Sequence, residues 1–218
     1  MNRFKHFCLY CALLGLSQFS WQLSAQALEA QSQATRLASP AGSSAIEIGG
    51  HYDVREGYVD GKWIEIYYGR PIKRSRNLFG LADWREALMD GAEVWRAGAN
   101  ISTRLKTETA LTFGDTRVEA GEYTVFIDFS GDEWLFVLST WPAQLRYNYE
   151  NHDALWGAFE YTADRDVLRQ PMKMHSPEYS FDQLSWQFVN IDEGAGTLLF
   201  MWDRIQASID FQVVSAAP

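Results

Sequence analysis

Three stretches of this sequence hold the side chains best equipped for chemistry. They are Tyr68-Gly69-Arg70-Pro71, Glu93-Val94-Trp95-Arg96-Ala97-Gly98-Ala99-Asn100, and Trp156-Gly157-Ala158-Phe159-Glu160-Tyr161 running on to Asp166-Val167-Leu168-Arg169. A proline keeps the residue before it extended, so Arg70 is expected to project its guanidinium from a strand end. Gly98 can take a positive φ and Asn100 tolerates one, so this loop could turn backbone N–H groups toward an anion beside Arg96. Aromatic faces next to carboxylates and arginines suit a small polar or carbohydrate ligand, whose ring stacks on tryptophan while its hydroxyls or acid pair with the charged groups. The candidate ligand-binding residues are therefore Arg70, Glu93, Trp95, Arg96, Asn100, Trp156, Asp166 and Arg169. Arg70, Trp95, Arg96, Asn100 and Arg169 are expected to converge, because each sits at a strand end or glycine turn.

Two other readings use the same residues. A carboxylate-dependent hydrolase would draw on Glu93, Glu160 and Asp166, with one acid raised in pKa and one ionised. A purely structural envelope protein would instead pair Arg70, Arg96 and Arg169 with Glu93 and Asp166 to weld the fold.

Motifs for other chemistries are missing. The sequence has no Gly-x-Ser-x-Gly, Walker loop, dinucleotide glycine pattern, His-Glu-x-x-His or EF-hand loop, so no cofactor is implied. His51, His152 and His175 lack metal-ligand spacing, and no metal site is expected. The 218 residues carry 19 Lys and Arg against 28 Asp and Glu, a net charge of −9, which argues against nucleic acid or anionic lipid as the main partner.

The start of the chain reads as an address. Arg3 and Lys5 precede an apolar run over residues 7–16, and Ala25-Gln26-Ala27 supplies an A-x-A site, so residues 1–27 are expected to be a cleaved signal peptide. The mature protein would be periplasmic or secreted, with no integral membrane segment. Cys8 and Cys11 would leave with the peptide, so neither a disulfide nor a thiol is expected in the mature protein.

The elements that must position the candidate residues are mostly strands. Residues 28–44, rich in Ala, Ser and Gln, read as a flexible lead-in, and residues 45–218 as one β domain. Period-two runs near residues 46–48, 63–68, 102–106, 110–113, 123–129, 134–140, 167–174, 184–191, 197–202 and 205–213 are bounded by Gly, Asp or Ser clusters. Residues 130–133 look like a tight hairpin. One short helix is expected over residues 84–89, capped by Asp83 with Glu86 at the capping-box position and stopped by Gly91. The fold class is all-β, a single antiparallel β-sandwich or barrel-like sandwich with one short helix. Of the tryptophans, Trp63, Trp134, Trp186 and Trp202 read as core, whereas Trp95, Trp141 and Trp156 read as exposed platforms.

Taken with Ser39-Pro40, Arg76-Asn77-Leu78-Phe79-Gly80, Ala120-Gly121-Glu122-Tyr123, Phe126 and Trp134, the three stretches give the chain a resemblance. It resembles the secreted bacterial proteins grouped as domain of unknown function 2911. That family usually carries threonine where this chain has Ala97 and glutamate where it has Ile101, so a catalytic acid at the latter position is excluded. Residues 84–86 look inserted relative to the family pattern. The resemblance implies a small secreted or periplasmic all-β domain and implies no activity.

Overall fold

Apolar and polar residues alternate along the chain, and the alternation builds two antiparallel sheets laid face to face. A computed structural model describes residues 37–192 and 194–214. The expected signal peptide, its cleavage site, both cysteines and the lead-in up to residue 36 lie outside the described residues.

In chain order the strands are β1 (Ala41–Ile48), β2 (His51–Asp53), β3 (Gly57–Val59), β4 (Lys62–Gly69), β5 (Thr103–Thr107), β6 (Leu111–Phe113), β7 (Thr116–Val118) and β8 (Gly121–Asp128). They continue with β9 (Leu135–Ser139), β10 (Asp166–Pro171), β11 (Lys173–His175), β12 (Phe181–Asp192), β13 (Ala195–Asp203) and β14 (Ile205–Val213). Among the described residues one α-helix, α1, spans Trp84–Met89. The first sheet runs β1-β4-β5-β8-β9-β10 and the second β12-β13-β14-β6-β7, with β11 also pairing with β14. The result is a sandwich with open edges rather than a closed barrel.

Ile64 and Ile66 of β4, Val125 and Ile127 of β8 and Phe136 and Leu138 of β9 face inward. They meet Leu184 and Trp186 of β12, Leu198, Phe200 and Trp202 of β13 and Phe211 of β14 in one core. The first sheet also carries a second apolar layer on its other face, where Phe126 and Val137 pack with Val94, Leu155, Ala158 and Tyr161. Being covered on both sides, β8 and β9 have almost no exposed positions, and each carries consecutive apolar residues, 125–127 in β8 and 135–138 in β9.

Helix α1 has the expected bounds but not the expected cap. The Asp83 side chain makes no capping bond, and its carbonyl accepts the Ala87 N–H at 3.0 Å instead. Asp90 at φ 53° and Gly91 at φ 80° end the helix in the left-handed region. Trp84 anchors it, 5.0 Å from Phe129 and 5.8 Å from Trp134, ring centre to ring centre.

Three features depart from the pattern expected of the sequence. Strand β1 starts at Ala41, so residues 41–44 of the expected lead-in pair with β4. The β2–β3 hairpin and β7 are new, being three residues each and too short to show a period. The run over residues 167–174 splits at Met172, where the chain passes from β10 in the first sheet to β11 in the second.

Gly69, at the end of β4, is a point of close backbone approach. A Cβ there would stand 1.9 Å from the Ala99 carbonyl oxygen, whereas one at Gly131 would meet nothing within 4 Å. Gly69→Ala is expected to cost at least about 1–3 kcal/mol of stability and Gly131→Ala close to nothing, which urea unfolding of the two variants checks.

Candidate functional site

The segment between α1 and β5 is built by backbone pairing. Trp95 exchanges two hydrogen bonds of 2.8 Å with Ile127 of β8, which aligns its side chain with the inward-facing residues of the first sheet. Trp95 is accordingly 2 % exposed and stacks 6.1 Å from Trp202 with the rings 11° from parallel. It is a core residue and not the exposed platform its turn-like sequence suggests. Its neighbours point the other way, Val94 into the outer apolar layer and Arg96 toward a cavity beside that layer.

The left-handed residues of this loop are Ala97 at φ 53° and Asn100 at φ 65°, and Gly98 is not among them. Gly98 is needed for space, since a Cβ would come within 2.9 Å of Thr103 Oγ1 and 3.1 Å of the Gly69 carbonyl oxygen. The buried indole of Trp186 donates to the Ala97 carbonyl at 3.0 Å and ties the second sheet to the loop.

The cavity, about 460 Å³, lies between the end of α1 at residues 88–92, Arg96, and the long segment that follows β9. Arg96 Nη1 reaches only the Asn100 carbonyl, at 3.4 Å, and among the described residues no carboxylate pairs with its guanidinium. The side chain lies over Gly157, where φ is 65° and a Cβ would stand 2.6 Å from Nη1, so the glycine beside Trp156 makes room for the arginine. Ser102 fixes that wall from behind, its hydroxyl donating to the Gly157 carbonyl at 2.5 Å with the Leu155 carbonyl 3.3 Å away.

Trp156, Tyr147, Phe159 and Glu160 complete the wall, with the Trp156 and Tyr147 rings 5.7 Å apart. The buried Gln144 amide organises the stretch carrying Tyr147. It donates to the Asn151 and Ala154 carbonyls and accepts the Asn148 N–H, each at 2.8 Å. His152 Nδ1 lies 2.8 Å from the Glu160 carboxylate, and that hydrogen bond, followed by the charge of Glu160, holds the imidazole pKa above its usual value.

The other candidates go elsewhere. Arg169 donates to Asp128 of β8, to Asp166 at 2.6 Å and to the Tyr161 hydroxyl at 3.0 Å, while Tyr161 donates to Asp166 at 2.5 Å. The two carboxylate side chains are each 5 % exposed. Burial, then the bond to Asp166, pushes the Tyr161 hydroxyl well above the usual tyrosine range. Removing one partner of such a buried set costs on the order of 3–5 kcal/mol, so Asp166 and Arg169 hold the fold. Arg70 spans the sandwich, donating to the Leu184 carbonyl at 3.3 Å and to Ser185 Oγ at 3.2 Å on β12. Asn100 donates to the Ser39 carbonyl at 3.1 Å. Glu93 is exposed and lines no part of the cavity.

The eight candidates therefore do not converge. Arg96 and Trp156 share the cavity, and Asn100 supports Arg96 through its carbonyl. Of the three carboxylates considered for hydrolysis, Glu160 alone lines it. Asp90 and Tyr147 line it too and were missed. The signal for Tyr147 was a pair of aromatics, Tyr147 and Tyr149, in an otherwise polar stretch. Among the described residues no group of three or more His, Cys, Asp or Glu is placed to hold a metal ion, and no helix is long and apolar enough to cross a membrane.

The chain belongs to the family described as protein of unknown function DUF2911, whose model matches residues 52–211. No curated protein and no solved structure matches it.

The His152–Glu160 contact has a defined pH dependence. Because the folded imidazole pKa is raised, the contact contributes fully below the ordinary value of 6.5 and fades as pH rises through the raised one. An NMR titration of His152 is expected to show a midpoint above 6.5 that falls back toward it in Glu160→Gln.

Proposed function

We propose that this protein is a non-catalytic binding domain of the cell envelope, and that its cavity takes a neutral, hydroxyl-rich ring such as one sugar of a glycan. The observation that carries the reading is the cavity wall, where the unpaired guanidinium of Arg96 and the half-buried face of Trp156 meet in a space of about 460 Å³. That volume is typical of small-molecule sites. Tyr147, Trp156 and Phe159 offer apolar faces for the ring, while Arg96 donates and Asp90 and Glu160 accept hydrogen bonds from hydroxyls. Asp90, and Glu160 held by His152, leave no surplus of positive charge beside Arg96, which suits an uncharged polyol better than a small anion. The basic start, apolar run and A-x-A site of residues 1–27 support the envelope setting, since together they read as an export signal.

A thermal-shift screen of the mature protein against mono- and oligosaccharides and peptidoglycan fragments tests the reading, since a ligand of the native state raises the melting temperature. At least one glycan is expected to stabilise the protein. Trp156→Ala is expected to weaken that glycan at least tenfold, about 1.4 kcal/mol, with the melting temperature of the free protein little changed. No stabilising glycan, or an affinity unaltered by Trp156→Ala, contradicts it.

A further inference from the structure

A second cavity, about 390 Å³, shares no lining residue with the first and lies between residues 73–80 and the turn joining β13 to β14. Its charge is opposite to that of the whole chain. Lys73, Arg76 and Arg204 line it against Asp203 alone, in a protein with 28 acids to 19 cations. Asp203 is already neutralised, because it forms an ion pair with Lys73 and accepts from Ser180 at 3.2 Å, with the two ion-pair side chains 18 % and 10 % exposed. The positive charges of Arg76 and Arg204 are left over.

Arg76 is aimed by the backbone. Its Nε donates to the Lys73 carbonyl at 2.9 Å and its Nη2 to the Ile72 carbonyl at 2.8 Å, which fixes the guanidinium plane and leaves Nη1 free. Carbonyls orient an arginine without cancelling its charge, as a carboxylate would. Arg204 sits in the two-residue turn between the paired Trp202 and Ile205, where Asp203 takes φ 52°. Among the described residues the side chains of Arg204, Ser75 and Asn77 have no partner, so three more donors face solvent at the same cavity. The chain reaches this arrangement through two successive left-handed residues that are not glycine, Arg74 at φ 52° and Ser75 at φ 62°. Such strain is tolerated where the surroundings hold it, and the two carbonyl bonds of Arg76 do so here.

We infer that this cavity is an oxyanion site that binds a phosphate or sulfate group through Arg76 and Arg204, with Asn77 and Ser75 donating to the remaining oxygens. One guanidinium held by the backbone, a second left free beside it, neutral donors and no unpaired carboxylate match a tetrahedral oxyanion, whether free or the head of a larger molecule. The site is independent of the glycan reading, since the two cavities have no residue in common.

The test uses the mature protein with inorganic phosphate, inorganic sulfate, and vesicles of phosphatidylglycerol in phosphatidylcholine. Phosphate or sulfate is expected to raise the melting temperature saturably, with affinity falling as sodium chloride is added. Arg204→Gln is expected to lose at least tenfold in affinity with the melting temperature of the free protein unchanged. Arg55→Gln, which removes an exposed arginine from the β2–β3 turn, is expected to bind as the parent does. Vesicle binding abolished by Arg204→Gln, without binding of the free ions, assigns the anion to a lipid headgroup and still supports the site. Absence of saturable binding to all three probes, or an equal effect of Arg204→Gln and Arg55→Gln, overturns it.

Discussion

Trp186 brings an indole N–H into a core that water does not reach, and the N–H donates to the Ala97 carbonyl. A buried donor left unpaired costs about 1–3 kcal/mol, so the position of that carbonyl is tightly constrained. Ala97 meets the constraint by turning left-handed, and the segment around it then has little freedom. Trp95 is held in pairing with Ile127, and Gly98 and Gly69 allow two backbones to pass where a Cβ would collide. Between Trp95 and Ala97, Arg96 is directed to the outer face of the first sheet. The cavity owes its arginine to this chain of constraints.

Three arginines of similar appearance in the sequence serve three ends. Arg70 crosses the sandwich to carbonyl and hydroxyl acceptors on β12. Arg169 is enclosed by two carboxylates and a tyrosine hydroxyl. Arg96 meets one distant carbonyl and otherwise faces open space. A guanidinium can stabilise a fold or remain available to a ligand, and its acceptors determine which. By that criterion Arg96 is the arginine left available, whereas Arg70 and Arg169 are engaged within the fold, and of the carboxylate pairs expected in the structural reading only Arg169 with Asp166 forms among the described residues.

Most strands of five or more residues were legible in the sequence, the half-buried ones from their alternation and β8 and β9 from short apolar runs between turn residues, and α1 was legible from its bounding Asp83 and Gly91. What escaped depended on partners far away in the chain. Arg169 and Asp166 are three residues apart, but the second acid, Asp128, is 41 residues away on β8. Trp95 looked exposed because it lies in a loop, yet its bridge to Ile127 gives it the environment of a strand residue. Gly98 suggested a positive φ, but a glycine can equally mark a close approach, and only the neighbouring Gly69 backbone distinguishes the two. Tyr147 has a place in the cavity because Gln144, three residues earlier, collects the backbone groups of its own loop.

The cavity wall is positioned by polar groups reaching backbone carbonyls. Ser102 is the clearest such link, joining the start of β5 to Leu155 and Gly157. Hydrogen exchange measured on Ser102→Ala tests this most directly. Faster exchange is expected, confined to about residues 153–161, with β8, β9 and β13 protected as in the parent. Unchanged protection over residues 153–161, or an equal loss across the sandwich strands, would contradict it.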